Sequence, residues 1–119
     1  MAGTKEVIYI RMWLIEPKTL CKSHILGEHR ETHTLAGAIL KGRSIKGYLE
    51  KKQVEPRKLV SRHDELAKEM LARGSKHNSP LELNTAFFQF EAVEIDVKAN
   101  LQDLHKRCKG CKKRHKEMV

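Results

Sequence analysis

Two amphipathic stretches, each closed by a glycine, set the limits on what this chain can fold into. In the first, Ile25, His29, Thr32, Ala36, Ile39 and Leu40 recur at spacings of three and four, which puts them on one helical face. That helix starts at Thr19 or Ser23, either of which offers a capping hydroxyl, and runs to Leu40, with Gly42 as the stop. In the second, Leu59, His63, Leu66, Met70 and Leu71 form the stripe. Pro56 suits its first turn, and Gly74 suits the left-handed backbone that ends a helix. A third helix fits Val97 to Lys109, capped by Asp96, with Val97, Leu101, Leu104 and Cys108 facing inward. Between them, Phe87, Phe88, Phe90, Val93 and Ile95 read either as a strand or as an extended segment packed on helices. The expectation is an all-α, single compact domain of about three helices with long connecting loops. Residues 1–9 read as an N-terminal extension, 10–104 as the helical domain and 105–119 as a basic Cys/His tail. With 119 residues, 39% of them hydrophobic, the chain has material for one modest core and not two.

Charge narrows the partners. Lys and Arg total 24 against 15 Asp and Glu, a net charge of +9, and such a field captures polyanions. Nucleic acid is the first expectation and an anionic membrane surface the second; excess charge as a plain solubility device is the alternative to both. No segment approaches the roughly 20 apolar residues that span a bilayer, and the first residues lack the pattern of a signal peptide. Three cysteines cannot all pair within one chain, so a reducing cytoplasm is expected; separately, the chain is expected to act as a monomer.

On the first helix, His24, Glu28 and Glu31 share one stripe at the edge of the apolar face. Two carboxylates and an imidazole at such a boundary are partly desolvated, which is how a site tunes an acid or base. A solvated, salt-bridged helix edge is the other reading.

The run His24-Ile25-Leu26-Gly27-Glu28-His29-Arg30-Glu31 resembles the helix signature of the pyrimidine-dimer DNA glycosylases of the endonuclease V type, through His24, Leu26, Glu28, Arg30 and Glu31. Counting back from His24 puts the family's N-terminal nucleophile position on Ile10 and its following arginine on Arg11. The helix from Arg62 to Gly74 also fits. Arg11-Met12-Trp13, Leu20-Cys21 and Ser79-Pro80-Leu81 resemble the bacterial branch in particular. The resemblance covers residues 10 to 81 and implies excision of a damaged pyrimidine from double-stranded DNA, followed by lyase cleavage. The nucleophile would be the α-amine of the chain, whose pKa of about 7.7–8.0 leaves much of it neutral. It further implies Glu31 as the key carboxylate, His24 as a positioning group, and DNA contacts from Arg11, Arg30, Glu28 and the basic loop residues Lys41, Arg43 and Lys46. No cofactor is required by this chemistry. Residues 1–9 precede the expected nucleophile, and a misplaced start is the favoured explanation, because Lys5-Glu6-Val7 can be encoded as a purine-rich run like a ribosome-binding site. Removal of the extension, or its folding back into the site, are the other two.

The tail carries His105-x-x-Cys108-x-x-Cys111-x-x-x-His115, a mix of thiols and imidazoles that suits zinc. A frayed basic helix end with incidental thiols is the alternative, and Cys21 reads as a packed residue rather than a ligand. Three rival functions remain: a non-catalytic DNA-binding module that needs Arg11, Arg30 and the tail but not Glu31, a glycosylase for another lesion, and a zinc-dependent regulator built on the tail.

Overall fold

A computed structural model describes residues 10–118, so the expected extension 1–9 lies outside the described residues. The chain is all-α: α1 (Lys22–Leu40), α2 (Lys46–Glu50), α3 (Leu59–Ala72), α4 (Val97–Arg107) and α5 (Lys109–Met118), with 3₁₀ turns at Pro17–Thr19, Pro56–Lys58 and Thr85–Phe88. Among the described residues there is no strand. Asp96 caps α4 as its sequence suggests, accepting from the Ala99 N–H at 2.9 Å. Gly42 and Gly74 take positive φ (71° and 85°) just past the ends of α1 and α3, where a side chain would strain the backbone.

Several expectations need correction. Neither Thr19 nor Ser23 caps α1. The Thr19 hydroxyl donates to the Glu16 carbonyl at 2.7 Å, and the helix starts after Cys21. The ambiguous segment opens with a 3₁₀ turn at Thr85–Phe88, where the Asn84 side chain accepts from the Ala86 N–H at 2.9 Å and curls the chain over buried Phe87; past it the chain forms no strand, and Phe90, Val93 and Ile95 pack on the core. The third helix breaks at Cys108, whose backbone is extended, and a new helix starts at Lys109.

The core is also divided. One cluster gathers Ile10, Met12, Leu35, Ala36, Ile39, Leu59 and Phe87. The other gathers Trp13, Ile15, Leu20, Ile25, Leu66, Met70, Leu104 and Cys111. The C-terminal part of α1 thus meets the start of α3, and the two helices run antiparallel. Between the clusters lies a polar layer. Arg62, 1% exposed, donates Nε and Nη2 to the two carboxylate oxygens of Glu28 (2.5 and 2.9 Å) and Nη1 to the Ile15 carbonyl (2.8 Å). The apolar stripes of both helices are therefore interrupted at the same level, which is why one continuous core does not form.

The segment entering α1 is held from several sides. The Met12 N–H donates to the Gln53 carbonyl at 2.8 Å, and Asn100 Nδ2 donates to the Trp13 carbonyl at 3.0 Å.

Breaking a buried ion pair from one side leaves an uncompensated charge, at a cost of about 3–5 kcal/mol. Glu28→Leu and Arg62→Met alone are each expected to lose stability of that order in urea unfolding, and the double variant to recover most of it. Single variants that unfold like the parent chain would contradict this.

Candidate active site and metal-ligand clusters

Glu31 sits on the third turn of α1, half-buried, with Oε1 accepting the backbone N–H of Arg11 at 2.8 Å. That bond sets the carboxylate one residue from Ile10. Burial pushes the Glu31 carboxyl up to about 7; the Arg11 N–H opposes this, the Glu28 carboxylate adds to it and Arg30 opposes it. Four residues earlier, Gly27 has no side chain to cover the group, and a Cβ there would lie 3.8 Å from Oε2. A carboxyl poised near neutrality and open on one side can take up and release a proton. Arg30 is exposed beside it. Ile10, buried, lines an open pocket of about 370 Å³ together with Lys41, Arg43, Ser44 and Tyr48. Lys46 is exposed on the next turn and pairs with Glu50 at 3.7 Å.

The stripe His24–Glu28–Glu31 does not converge on one centre. Glu28, expected at the DNA, is buried and both its oxygens are taken by Arg62; burial pushes its carboxyl up, and the Arg62 fork opposes that. The Arg11 guanidinium, expected on phosphates, lies 3.9 Å over the Trp13 ring and donates to Asp103 (2.8 Å) and Asn100 (2.6 Å). It holds the Asp103 carboxyl below its usual range. In this arrangement Arg11 joins the entry segment to α4, and only its backbone N–H faces Glu31.

His24 turns toward sulfur. Its Nδ1 lies 3.2 Å from Cys21 Sγ and 3.5 Å from Cys111 Sγ, and Cys21 Sγ lies 3.7 Å from Cys108 Sγ. These four form a group of metal-ligand type, with donor atoms within 4.8 Å of one another. His105 and His115, expected as ligands, meet edge to face with ring centroids 4.9 Å apart and stand outside that group. The reason is local: the break at Cys108 turns its thiol and that of Cys111 toward the start of α1, where Cys21 and His24 are waiting. Cys21, expected only to pack, is part of the set. Backbone N–H groups support the sulfurs, Cys21 N donating to Cys111 Sγ (3.2 Å) and Cys111 N to Cys108 Sγ (3.4 Å). Burial pushes the Cys111 thiol up to about 12. A bound cation would reverse that by taking the thiolate directly.

A second cluster escapes a stripe-by-stripe reading. His29 and His63 read as apolar-face residues, yet their Nε2 atoms meet at 3.1 Å and those of His77 and His33 join them. The readable signal is the pair His29 and His33, four residues apart on one helix face. Burial, with three neighbouring imidazoles, pushes His29 down to about 4.

Fold and site together describe a small basic helical domain whose first long helix presents one ionisable carboxylate next to residue 10, the first of the described residues. A family model described as pyrimidine dimer DNA glycosylase matches residues 10–83, and the chain belongs to that family. The match begins at Ile10, the residue beside the Glu31 contact. Neither a search of curated proteins nor one of solved structures returned a match.

The raised Glu31 group has a consequence for stability. Its folded-state pKa of about 7 exceeds the ordinary value of 4.5, so the folded chain holds a proton that the unfolded chain releases. Stability therefore falls as pH rises from 4.5 to 7 and levels off above. Glu31→Gln, which keeps the acceptor for Arg11, is expected to gain in melting temperature over the parent chain between pH 5 and pH 8, roughly the window of that titration. A difference that stays constant with pH would show that the carboxylate bears no burial cost.

Proposed function

We propose that this chain excises pyrimidine dimers from double-stranded DNA and then cuts the strand by lyase chemistry. In this reading Glu31 is the catalytic carboxylate, and the nucleophile is the amine of residue 10 in a chain that begins there. The observation that carries it is the Arg11 N–H to Glu31 hydrogen bond, together with a family match that starts at residue 10. A terminal amine at that position would lie within a residue's length of the carboxylate, whereas the lone pair of an amide nitrogen is delocalised into its carbonyl and is not nucleophilic. The amine lone pair forms a bond to the sugar C1′ as the glycosidic bond breaks, and the departing pyrimidine takes the bonding pair and a proton. Ring opening gives an imine, and loss of a C2′ proton expels the 3′ phosphate. Glu31 stabilises the positive sugar and carries these protons. Arg30, Lys41, Arg43 and Lys46 hold phosphates, which supplies affinity and salt dependence. Forcing a nucleotide out of the stack costs a few kcal/mol, less at a damaged base.

The test is strand nicking on duplexes carrying a dimer, an abasic site or no lesion, with chains starting at Ile10. Nicking of the first two substrates is expected, and Glu31→Gln should abolish it while binding the dimer duplex nearly as well. Near-parental nicking by Glu31→Gln would remove the assignment. Dimer-independent base release would move it to another lesion, and tight binding with no chemistry on any duplex would favour a non-catalytic module.

The thiol cluster fits a structural zinc ion held by Cys21, His24, Cys108 and Cys111. With Zn–S about 2.3 Å and Zn–N about 2.0 Å, a tetrahedron has edges of about 3.8 Å between sulfurs and about 3.5 Å from sulfur to nitrogen. The separations of 3.7, 3.5 and 3.2 Å approach those edges. Such an ion would fasten α5 to the start of α1. Cobalt added to the metal-free chain should give a thiolate charge-transfer band that Cys21→Ser weakens and His115→Ala leaves intact. The reverse pattern would restore the tail-only ligand set.

A further inference from the structure

Four histidines take no part in the chemistry proposed for Glu31. His29 and His33 lie on α1, about half a turn around the helix from Glu31. His63 lies on α3, and His77 lies in the loop after Gly74. We propose that three of them, His29, His63 and His77, form a second metal site for a divalent ion of the zinc type, which pins α1 to α3 and to that loop; His33 touches His63 but stands outside the group whose donor atoms all lie within 4.8 Å of one another.

The geometry is that of a chelate. The Nε2 atoms of His29, His63 and His77 make a triangle with sides of 3.1, 3.4 and 2.9 Å. His33 Nε2 stands 3.1 Å from that of His63. A tetrahedral ion with Zn–N bonds of about 2.0–2.1 Å needs nitrogen–nitrogen edges of about 3.3 Å. The His77 ring meets His29 at 81° and His63 at 58°, and His29 and His63 are tilted by 35°, so none of the three lies in a parallel stack. Rings that approach edge-on with nitrogens foremost are arranged around a point, not packed as apolar discs.

Hydrogen bonding within the cluster does not account for the arrangement. His63 Nδ1 donates to Asp64 Oδ1 at 2.9 Å, so in the neutral ring Nε2 carries a lone pair. That nitrogen has three imidazole nitrogens and the Ser79 carbonyl oxygen within 3.4 Å. One proton can bridge one such pair; it cannot serve all of them. A cation satisfies His29, His63 and His77 together. The Asp64 contact is also the outer-shell feature of histidine metal sites, where a carboxylate fixes the tautomer and raises the basicity of the ligating nitrogen. Neutral imidazole suits zinc, copper, nickel and iron alike. Three protein imidazoles leave the fourth position of a tetrahedron to a water.

The experiment adds cobalt, then zinc, to the full chain stripped of metal by a chelator. The expected result is an equivalent of cobalt beyond the sulfur-bound one, with ligand-field bands of tetrahedral nitrogen coordination and no thiolate charge transfer. His77→Ala should lose that equivalent and keep the sulfur signature. Asp64→Ala, a change at an exposed residue, should retain the site with affinity weakened roughly 10–100-fold. Should His77→Ala fail to fold, side-chain nitrogen NMR of the parent chain decides: zinc should shift Nε2 of His29, His63 and His77 together. The proposal is overturned if all cobalt bound is sulfur-ligated, if the Nε2 signals ignore zinc, or if both variants bind as the parent does.

Discussion

The Glu28–Arg62 pair, buried between α1 and α3, is the constraint around which the rest is arranged. An arginine fork with both carboxylate oxygens of one glutamate admits little sliding or rotation. It fixes how far along each other the two helices lie and which faces they turn inward. That decides which side chains of α1 point outward beside it. Three residues past Glu28, Glu31 emerges half-buried next to Arg11, and one residue past each partner His29 and His63 meet. Because Arg62 also holds the Ile15 carbonyl, the same pair anchors the segment that carries residue 10. A well-packed apolar layer of equal volume would cost no less in order and hold register less tightly, and specificity is the best-attested use of such buried pairs.

Much of the scaffold is legible in the sequence because it is local. Gly42, Gly74 and Asp96 act through their own backbone neighbours, and the three- and four-residue spacings of α1 and α3 survive any tertiary context. What is not legible is where two stripes are polar at the same level. Glu28 and His29 on one helix, and Arg62 and His63 on the other, look like a helix edge or like apolar-face substitutes until the helices are docked. The thiol cluster shows the same limit. Cys108 and Cys111 advertise a metal-like spacing, but their partners Cys21 and His24 stand about 87 positions away in the chain. Nearby His105 and His115 fit the spacing better and the space worse. The position after Asn84 misleads for another reason: a run of aromatic and β-branched residues suggests extension, and one side-chain hydrogen bond overrides it.

The first helix is thus held on several sides. Its start meets the sulfur cluster, its middle meets the arginine pair on one face and the four histidines on another, and its C-terminal half packs into the apolar cluster around Leu35 and Ile39. A carboxylate proposed to stabilise a reacting sugar gains from such bracing, since a displacement of about 1 Å can cost a hundredfold in rate. The surface around it, with Arg30, Lys41, Arg43 and Lys46, stays exposed and cationic, as a face that meets DNA must.

The central proposal is a covalent one, that an α-amine at residue 10, beside Glu31, attacks the sugar. Borohydride reduction during reaction with a dimer-bearing duplex measures it most directly, because it converts the imine to a stable amine link that mass spectrometry can place. The account predicts efficient trapping by a chain starting at Ile10, with the DNA on its α-amine, and loss of trapping when that amine is acetylated. Trapping on an internal lysine, or no trapping by a folded, DNA-binding chain, would contradict it.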